Sequence, residues 1–212
     1  SSAWHGLFTN SNITSSGGNI TLTGSTPGGA VGVGGSGAMS ANKDITINGT
    51  SRGYFGISGF GALSSTTGNI SLTGTSNQSL GINFNNTATA NSGTVTVVGT
   101  SNGPGTSGIQ FSGTSGIRTT SYAVNGTSNT GSGVYFANGA NTTFTSTSTV
   151  VDSLIEATKN STGGDALYAY NGTTVTLASG SGKATMATSA TSKAGIRLGF
   201  AGGSVVNTSG DI

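Results

Sequence analysis

The sequence contains no cysteine, only one histidine and few charged residues, and these shortages exclude several classes of protein. Without cysteine there can be no disulfide bond and no thiolate metal site, so hydrogen bonds and packing must hold the fold. The net charge of +2 comes from seven basic and five acidic residues spread over 212 positions. Nucleic-acid binding needs clustered cations and is therefore not expected. No apolar run approaches the ~18 residues of a membrane-spanning helix.

Glycine, serine, threonine and asparagine make up most of the polar residues of the sequence. There are 39 glycines, while charged residues make up 6% of the chain. Such a composition is typical of disordered linkers. Here, however, aliphatic residues recur at regular places, which indicates a folded repeat.

A nine-residue phrase recurs four times at an interval of 25 residues. The copies are GNITLTGST at 18–26, KDITINGTS at 43–51, GNISLTGTS at 68–76 and GTVTVVGTS at 93–101. The glycine that closes each apolar part is Gly24, Gly49, Gly74 or Gly99, and Gly126 follows 27 residues later. Looser copies begin at 155 and 184. Aligning Asn160 with Gly126 gives a step of 34, which predicts a longer loop near 137–149.

Each copy alternates apolar and polar residues, which is the signature of a strand with one buried face. The inward residues are predicted to be Ile20/Leu22, Ile45/Ile47, Ile70/Leu72, Val95/Val97 and Tyr122/Val124. The outward residues of the first four copies form a predicted Thr/Ser ladder of Thr21, Thr46, Ser71 and Thr96. β-branched residues dominate, as strands favour.

Two further apolar phrases follow each copy. The second phrase is expected to bury Val33, Ile57, Ile82, Ile109, Val134, Leu167 and Ile196, with Phe84, Phe111 and Phe136 pointing the same way. The third, weaker phrase contains Met39, Leu63, Ile117, Phe144, Val175 with Leu177, and Val205. Each unit therefore has three short strands, with glycine and asparagine at the corners, where they supply left-handed backbone.

Three short strands in about 25 residues cannot bury a face alone, but stacked coils can. The sequence therefore predicts an all-β fold, a right-handed parallel β-helix forming a single domain over 1–212. Residues 1–17 are expected to form an edge coil, 18–126 regular coils, and 127–212 coils with longer loops. The segment VVDSLIEATKN at 150–160 has helical spacing, yet it lies where a first strand is due, and a strand is predicted.

The hexamers NITLTG at 19–24, DITING at 44–49 and NISLTG at 69–74 resemble large bacterial surface exoproteins. The similar families are the filamentous-haemagglutinin and high-molecular-weight adhesins of two-partner secretion, and the passengers of autotransporters. The resemblance implies an extracellular or cell-surface location, an outer-membrane secretion partner, and adhesion to host cells or other bacteria in virulence. A surface glycan or protein would be the receptor, no cofactor is implied, and the chain would be an internal fragment of a longer fibre.

Catalysis on such a fold needs converging carboxylates. The chain has five acidic residues, and only Asp152, Glu156 and Asp165 could form a cluster. Scattered, solvated acids are the favoured interpretation, so we expect no enzyme, no catalytic residue and no metal site. A polysaccharide-acting enzyme remains an alternative.

The Thr/Ser ladder and the second phrase each suggest a binding surface. Stacked threonines are what ice-binding solenoids present, although hydroxyl pairs are also an ordinary solvent face. In the second phrase, the outward residues Tyr135, Tyr168, Tyr170 and Arg197 form a predicted glycan-binding patch, because aromatic rings stack on sugars. A cut solenoid also exposes unpaired strand edges, so end-to-end self-association is expected.

Overall fold

A computed structural model describes residues 5–148, 153–161, 165–170, 172–179, 184–190, 196–198 and 204–209. These residues form 23 β-strands, and no helix occurs among them. The described residues accordingly include no helix with the length and apolar character of a membrane span.

The strands are short and follow one another throughout the described chain. In order they are β1 (Leu7–Thr9), β2 (Ile13–Ser15), β3 (Ile20–Thr26), β4 (Val33–Gly35), β5 (Met39–Ala41), β6 (Ile45–Ser51), β7 (Ile57–Ser58), β8 (Leu63–Ser65), β9 (Ile70–Ser76), β10 (Ile82–Phe84), β11 (Thr87–Ala90), β12 (Thr94–Ser101), β13 (Ile109–Phe111), β14 (Thr114–Thr119), β15 (Ser121–Ser128), β16 (Val134–Phe136), β17 (Asn141–Ser146), β18 (Ser153–Lys159), β19 (Leu167–Ala169), β20 (Thr174–Ser179), β21 (Ala184–Ala190), β22 (Ile196–Leu198) and β23 (Ser204–Ser209).

Every third strand joins the same sheet, which confirms the predicted parallel β-helix. Sheet A has the order β1-β4-β7-β10-β13-β16-β19-β22, sheet B the order β2-β5-β8-β11-β14-β17-β20-β23, and sheet C the order β3-β6-β9-β12-β15-β18-β21. All pairings between the described strands are parallel. The segment with helical spacing contributes β18, so the strand prediction is also confirmed.

Equivalent residues of successive repeats lie directly beside one another. Ile45 pairs with Ile20 on one side and with Ile70 on the other. All three are buried, so aliphatic side chains stack along the axis as predicted. Burial of this stack removes apolar surface from water, which stabilises the fold by about 25 cal/mol per Å².

Aromatic rings pack against one another in the interior of the middle coils. In neighbouring coils, Phe84 meets Phe111 edge-on with ring centroids 5.3 Å apart, and Phe111 stacks on Phe136 at 5.2 Å. Phe144 from sheet B packs edge-on against Phe111. The predicted inward direction of the three sheet A phenylalanines is confirmed.

The structure corrects two details of the predicted strand pattern. Ile196, expected to be buried, is 40% exposed, because β22 is the last strand of sheet A and no further described strand covers it. The pattern also omitted β11, whose only inward side chains are Ala88 and Ala90. Ala88 nevertheless lies between Leu63 and Ile117 in the core of sheet B.

The predicted loop near 137–149 is not continuous, because residues 141–146 form β17. Ser146 pairs with Thr119, a step of 27, whereas Leu154 pairs with Ala123, a step of 31. The larger insertion therefore follows β17. The step of 34 is wrong, because Gly126 pairs with Ala157 and not with Asn160.

The repeated glycine of the first phrase does not close a strand at a corner. Gly49 lies within β6 and is buried. A Cβ atom there would be 2.1 Å from the carbonyl oxygen of Gly56, so only glycine permits this approach. The left-handed backbone that was expected at the corners, and that glycine adopts most readily, occurs at turn positions such as Gly59 and Gly113.

Buried serines satisfy the backbone at the corner after sheet C. The Oγ of Ser51 donates to the carbonyl oxygen of Ala30 at 2.6 Å and accepts from the N–H of Tyr54 at 2.9 Å. Ser128 does the same three coils further on, with Thr106 and Gly131 at 2.6 and 2.9 Å. Each serine thus joins its own turn to the turn of the preceding coil.

Candidate functional site

The outward face of sheet A carries one side-chain column that changes from small polar to aromatic residues. Its members are Ser58, Asn83, Gln110, Tyr135, Tyr168 and Arg197, which pair in register. Three residues of the predicted patch, Tyr135, Tyr168 and Arg197, therefore lie at neighbouring backbone positions of sheet A. The side chain of Arg197 lies outside the described part of the chain.

The three tyrosines of this face form one cluster, called here the tyrosine cluster. The rings of Tyr135 and Tyr168 are nearly parallel, at an angle of 22° with centroids 5.7 Å apart. Tyr170 meets Tyr168 edge-on at 5.9 Å and is 39% exposed. Because Tyr135 and Tyr168 turn one face toward each other, a ligand ring can stack only on their outer faces.

The phenol groups of this cluster influence one another. Burial raises the pKa of Tyr135 above its ordinary value, and the neighbouring phenols of Tyr168 and Tyr170 raise it further. Tyr135 is therefore neutral at physiological pH. A neutral phenol can both donate and accept a hydrogen bond, which suits a ligand rich in hydroxyl groups.

A cavity of about 420 Å³ lies beside the tyrosine cluster, at the corner between sheets C and A. We call it the corner cavity. Its lining includes Thr130, Ser132, Tyr135, Lys159, Asp165 and Tyr168. Lys159 and Asp165 are only 5% and 8% exposed. The cavity thus combines aromatic walls with one buried cation and one buried carboxylate.

Lys159 occupies the corner position that serine holds in earlier coils. It pairs with Ser128 in the sheet register. Its Nζ donates to the carbonyl oxygen of Thr130 at 2.8 Å, so the ammonium holds the preceding turn as the serine hydroxyls do. Sequence reasoning missed this residue, although the change from GTSN at 126–129 to ATKN at 157–160 signals it.

The predicted carboxylate cluster is not assembled by the described residues. Asp152 lies outside them, and Glu156 is exposed beside Asn125 on the outward face of sheet C. Asp165 lines the corner cavity, and Glu156 does not. Among the described residues, no group of three or more histidine, cysteine, aspartate or glutamate residues could hold a metal ion. The absence of enzymatic activity stays a prediction.

The outward face of sheet C carries the predicted Thr/Ser ladder. Thr21, Thr46, Ser71 and Thr96 pair in register, and Ala123 continues the column. A longer column lies four residues further along each strand. It consists of Ser25, Thr50, Thr75, Thr100, Thr127, Thr158 and Ser189. Sequence reasoning missed this column because it ended each strand at the glycine.

Comparison with known proteins gives no family for this chain. No protein-family model matches it. No curated protein and no solved structure matches it either. The parallel β-solenoid is shown by the strand pairing alone.

Proposed function

We propose that the chain is a structural and adhesive segment of a secreted bacterial surface fibre that attaches to host cells or other bacteria. The observation that carries this proposal is the tyrosine cluster, displayed on a rigid solenoid beside the corner cavity. Exposed aromatic side chains next to polar groups suit a glycan receptor, because the rings cover apolar sugar faces while the polar groups bind hydroxyls.

The stiffness required of a fibre has a structural basis that needs no disulfide. Asparagine amides form a ladder parallel to the axis at one corner. The Nδ2 of Asn102 donates to Oδ1 of Asn77, Asn129 donates to Asn102, and Asn160 donates to Asn129, all at 3.1–3.2 Å. Together with the backbone bonds of three sheets, this ladder joins each coil to the next.

The proposed location is extracellular, at the bacterial surface, with export through an outer-membrane secretion partner. The resemblance of the repeat hexamers to two-partner exoproteins and autotransporter passengers supports this location. The sparsely charged, hydroxyl-rich outer faces support it as well, because they suit a protein exposed to bulk water. End-to-end self-association stays a prediction, which light scattering over a range of protein concentrations would test.

The adhesion proposal is tested by a glycan array and a cell-attachment assay on the purified chain. The variant Tyr135→Gln/Tyr168→Asn replaces both rings with residues that Gln110 and Asn83 already supply in the same column. We expect this variant to keep the fold and lose attachment.

The matched control is Tyr54→Ser, which removes an exposed ring that stacks on Phe55 far from the cluster in the coil order. We expect the control to attach like the parent chain. Equal attachment by the cluster variant and the parent would refute the role of the tyrosines.

Ice binding is a second candidate, which the outward face of sheet C favours. Its hydroxyl columns repeat at the strand spacing of about 4.8 Å. A third column, which contains Thr23 and Thr73, lies between these two hydroxyl columns. Asn48 and Val98 interrupt it, which is why we favour adhesion. Thermal hysteresis that disappears in Thr75→Tyr would support ice binding, and a parent chain without hysteresis would exclude it.

A further inference from the structure

The corner cavity contains two buried charged groups, whereas Arg52, a cation at the same corner of an earlier coil, is exposed. Charged side chains are rarely buried unless they have a partner or a function. The Nζ of Lys159 has three N–H donors, and within the described chain it bonds to one acceptor, the carbonyl oxygen of Thr130. Its other two donors form no hydrogen bond with a described residue.

The acceptors of the cavity complement these donors. The carboxylate of Asp165 lines the cavity and has about four acceptor sites. Ser132 adds a hydroxyl group that can donate or accept. A sugar hydroxyl does both as well, so a polyhydroxylated ring can satisfy the ammonium and the carboxylate at once.

The charges also select between classes of sugar. One ammonium and one carboxylate line the cavity, so their charges cancel. Both charges line one cavity, so the carboxylate of a uronic or sialic acid would meet Asp165 as well as Lys159, and the ammonium of an amino sugar would meet Lys159 as well as Asp165. Burying such like charges together is costly. The cavity volume of about 420 Å³ lies within the range of roughly 300–1,000 Å³ of ligand pockets.

We propose that the corner cavity binds one uncharged sugar unit of a glycan, held by hydrogen bonds to Lys159 and Asp165 and bordered by Tyr135 and Tyr168. This rests on the proposed function, since it names the ligand class of the same site. Lys159 thus both holds the turn of Thr130 and contacts the ligand.

The test measures binding of methyl glycosides to the whole chain by saturation-transfer NMR and calorimetry. The probes are the methyl glycosides of glucose, galactose and mannose, with methyl glucuronide and methyl glucosaminide for comparison. We expect at least one neutral glycoside to bind, and the two charged glycosides to bind at least tenfold more weakly. A preference for a charged glycoside would overturn the proposal.

Two variants separate the site from the fold. Lys159→Ser restores the residue that Ser128 supplies one coil earlier, and we expect it to fold and to bind neutral glycosides at least tenfold more weakly. Asp165→Asn removes the negative charge and is expected to gain affinity for methyl glucuronide relative to the parent. Unchanged binding by a folded Lys159→Ser would overturn the proposal.

The outcomes also distinguish this inference from the proposed function. If the Tyr135→Gln/Tyr168→Asn variant loses attachment while Lys159→Ser keeps it, the adhesive role stands and the cavity is not the sugar site. If the parent chain binds no glycoside and no glycan on the array, and attaches to no cell, both proposals fail.

Discussion

Gly74 lies so close to Gly81, across the corner between sheets C and A, that a Cβ atom on Gly74 would be 2.3 Å from the carbonyl oxygen of Gly81. The same approach is made by Gly99 to Gly108 and by Gly126 to Gly133. These pairs allow the two strands that flank the corner to converge. The repeated glycine is therefore a requirement of packing across the coil.

Replacing Gly74 by alanine should destabilise the fold by about 3 kcal/mol, because the added methyl group meets backbone that cannot move aside. Urea unfolding followed by circular dichroism measures the change. The control is Gly29→Ala, where a Cβ atom would have no neighbour within 4 Å. Equal unfolding midpoints for Gly74→Ala and the control would show that the corner can relax.

Replacing Ser51 by alanine should cost about 2 kcal/mol, because it leaves a buried carbonyl and a part-buried N–H without their partner. The two groups belong to Ala30 and Tyr54. The comparison variant is Ser40→Ala, an exposed position in β5, for which we expect a change within about 0.5 kcal/mol. A loss no greater than that of Ser40→Ala would argue that water replaces the hydroxyl.

Replacing Tyr122 by phenylalanine should stabilise the chain by about 1 kcal/mol. The hydroxyl of Tyr122 is buried, and no described group forms a hydrogen bond with it. Burying a polar group without a partner costs about 1–3 kcal/mol in proteins, and phenylalanine removes that cost while it keeps the ring. A lower urea midpoint for the variant would contradict this account.

The same residue predicts how stability depends on alkaline pH. Burial raises the pKa of Tyr122 from 10.0 to about 12. The unfolded chain releases this proton at a lower pH than the folded chain does. The contribution of the neutral Tyr122 phenol to the free energy of unfolding is therefore fully present below pH 10 and is lost as the pH rises toward 12. The full loss is about 2–3 kcal/mol. Unfolding midpoints measured from pH 8 to 12 should therefore fall less steeply for Tyr122→Phe than for the parent, and parallel curves would contradict the prediction.

The 25-residue interval was sufficient to predict the stacking of coils. Any residue that repeats at that interval must lie beside its copy, so the partners of Ile45 followed from the sequence alone. The interval says nothing about which residues meet across a coil. The opposition of Gly74 and Gly81 was therefore not predictable, and neither was the convergence of Lys159 with the tyrosine cluster.

Other differences arose where the apolar signal was weak. The strand β11 was overlooked because alanine carries too little hydrophobic contrast to mark a buried position. The step was overestimated because Asn160 was aligned with Gly126, although Ala157 takes the place of the glycine. The positions of Tyr135 and Tyr168 on sheet A were predictable, because each lies between two inward residues of its strand and must therefore point outward.

The uniform pairing of Thr50 with Thr75, and of every neighbour along those strands, has a genetic consequence. Excision of residues 50–74 would join Gly49 to Thr75, remove one coil and keep the in-register pairing of the coils on either side. Tandem duplication of the same stretch would add one coil in the same register. Unequal recombination within the coding DNA can therefore lengthen or shorten the rod in increments of about 4.8 Å. The length of the solenoid can therefore vary with repeat number, independently of the side chains on its outward faces.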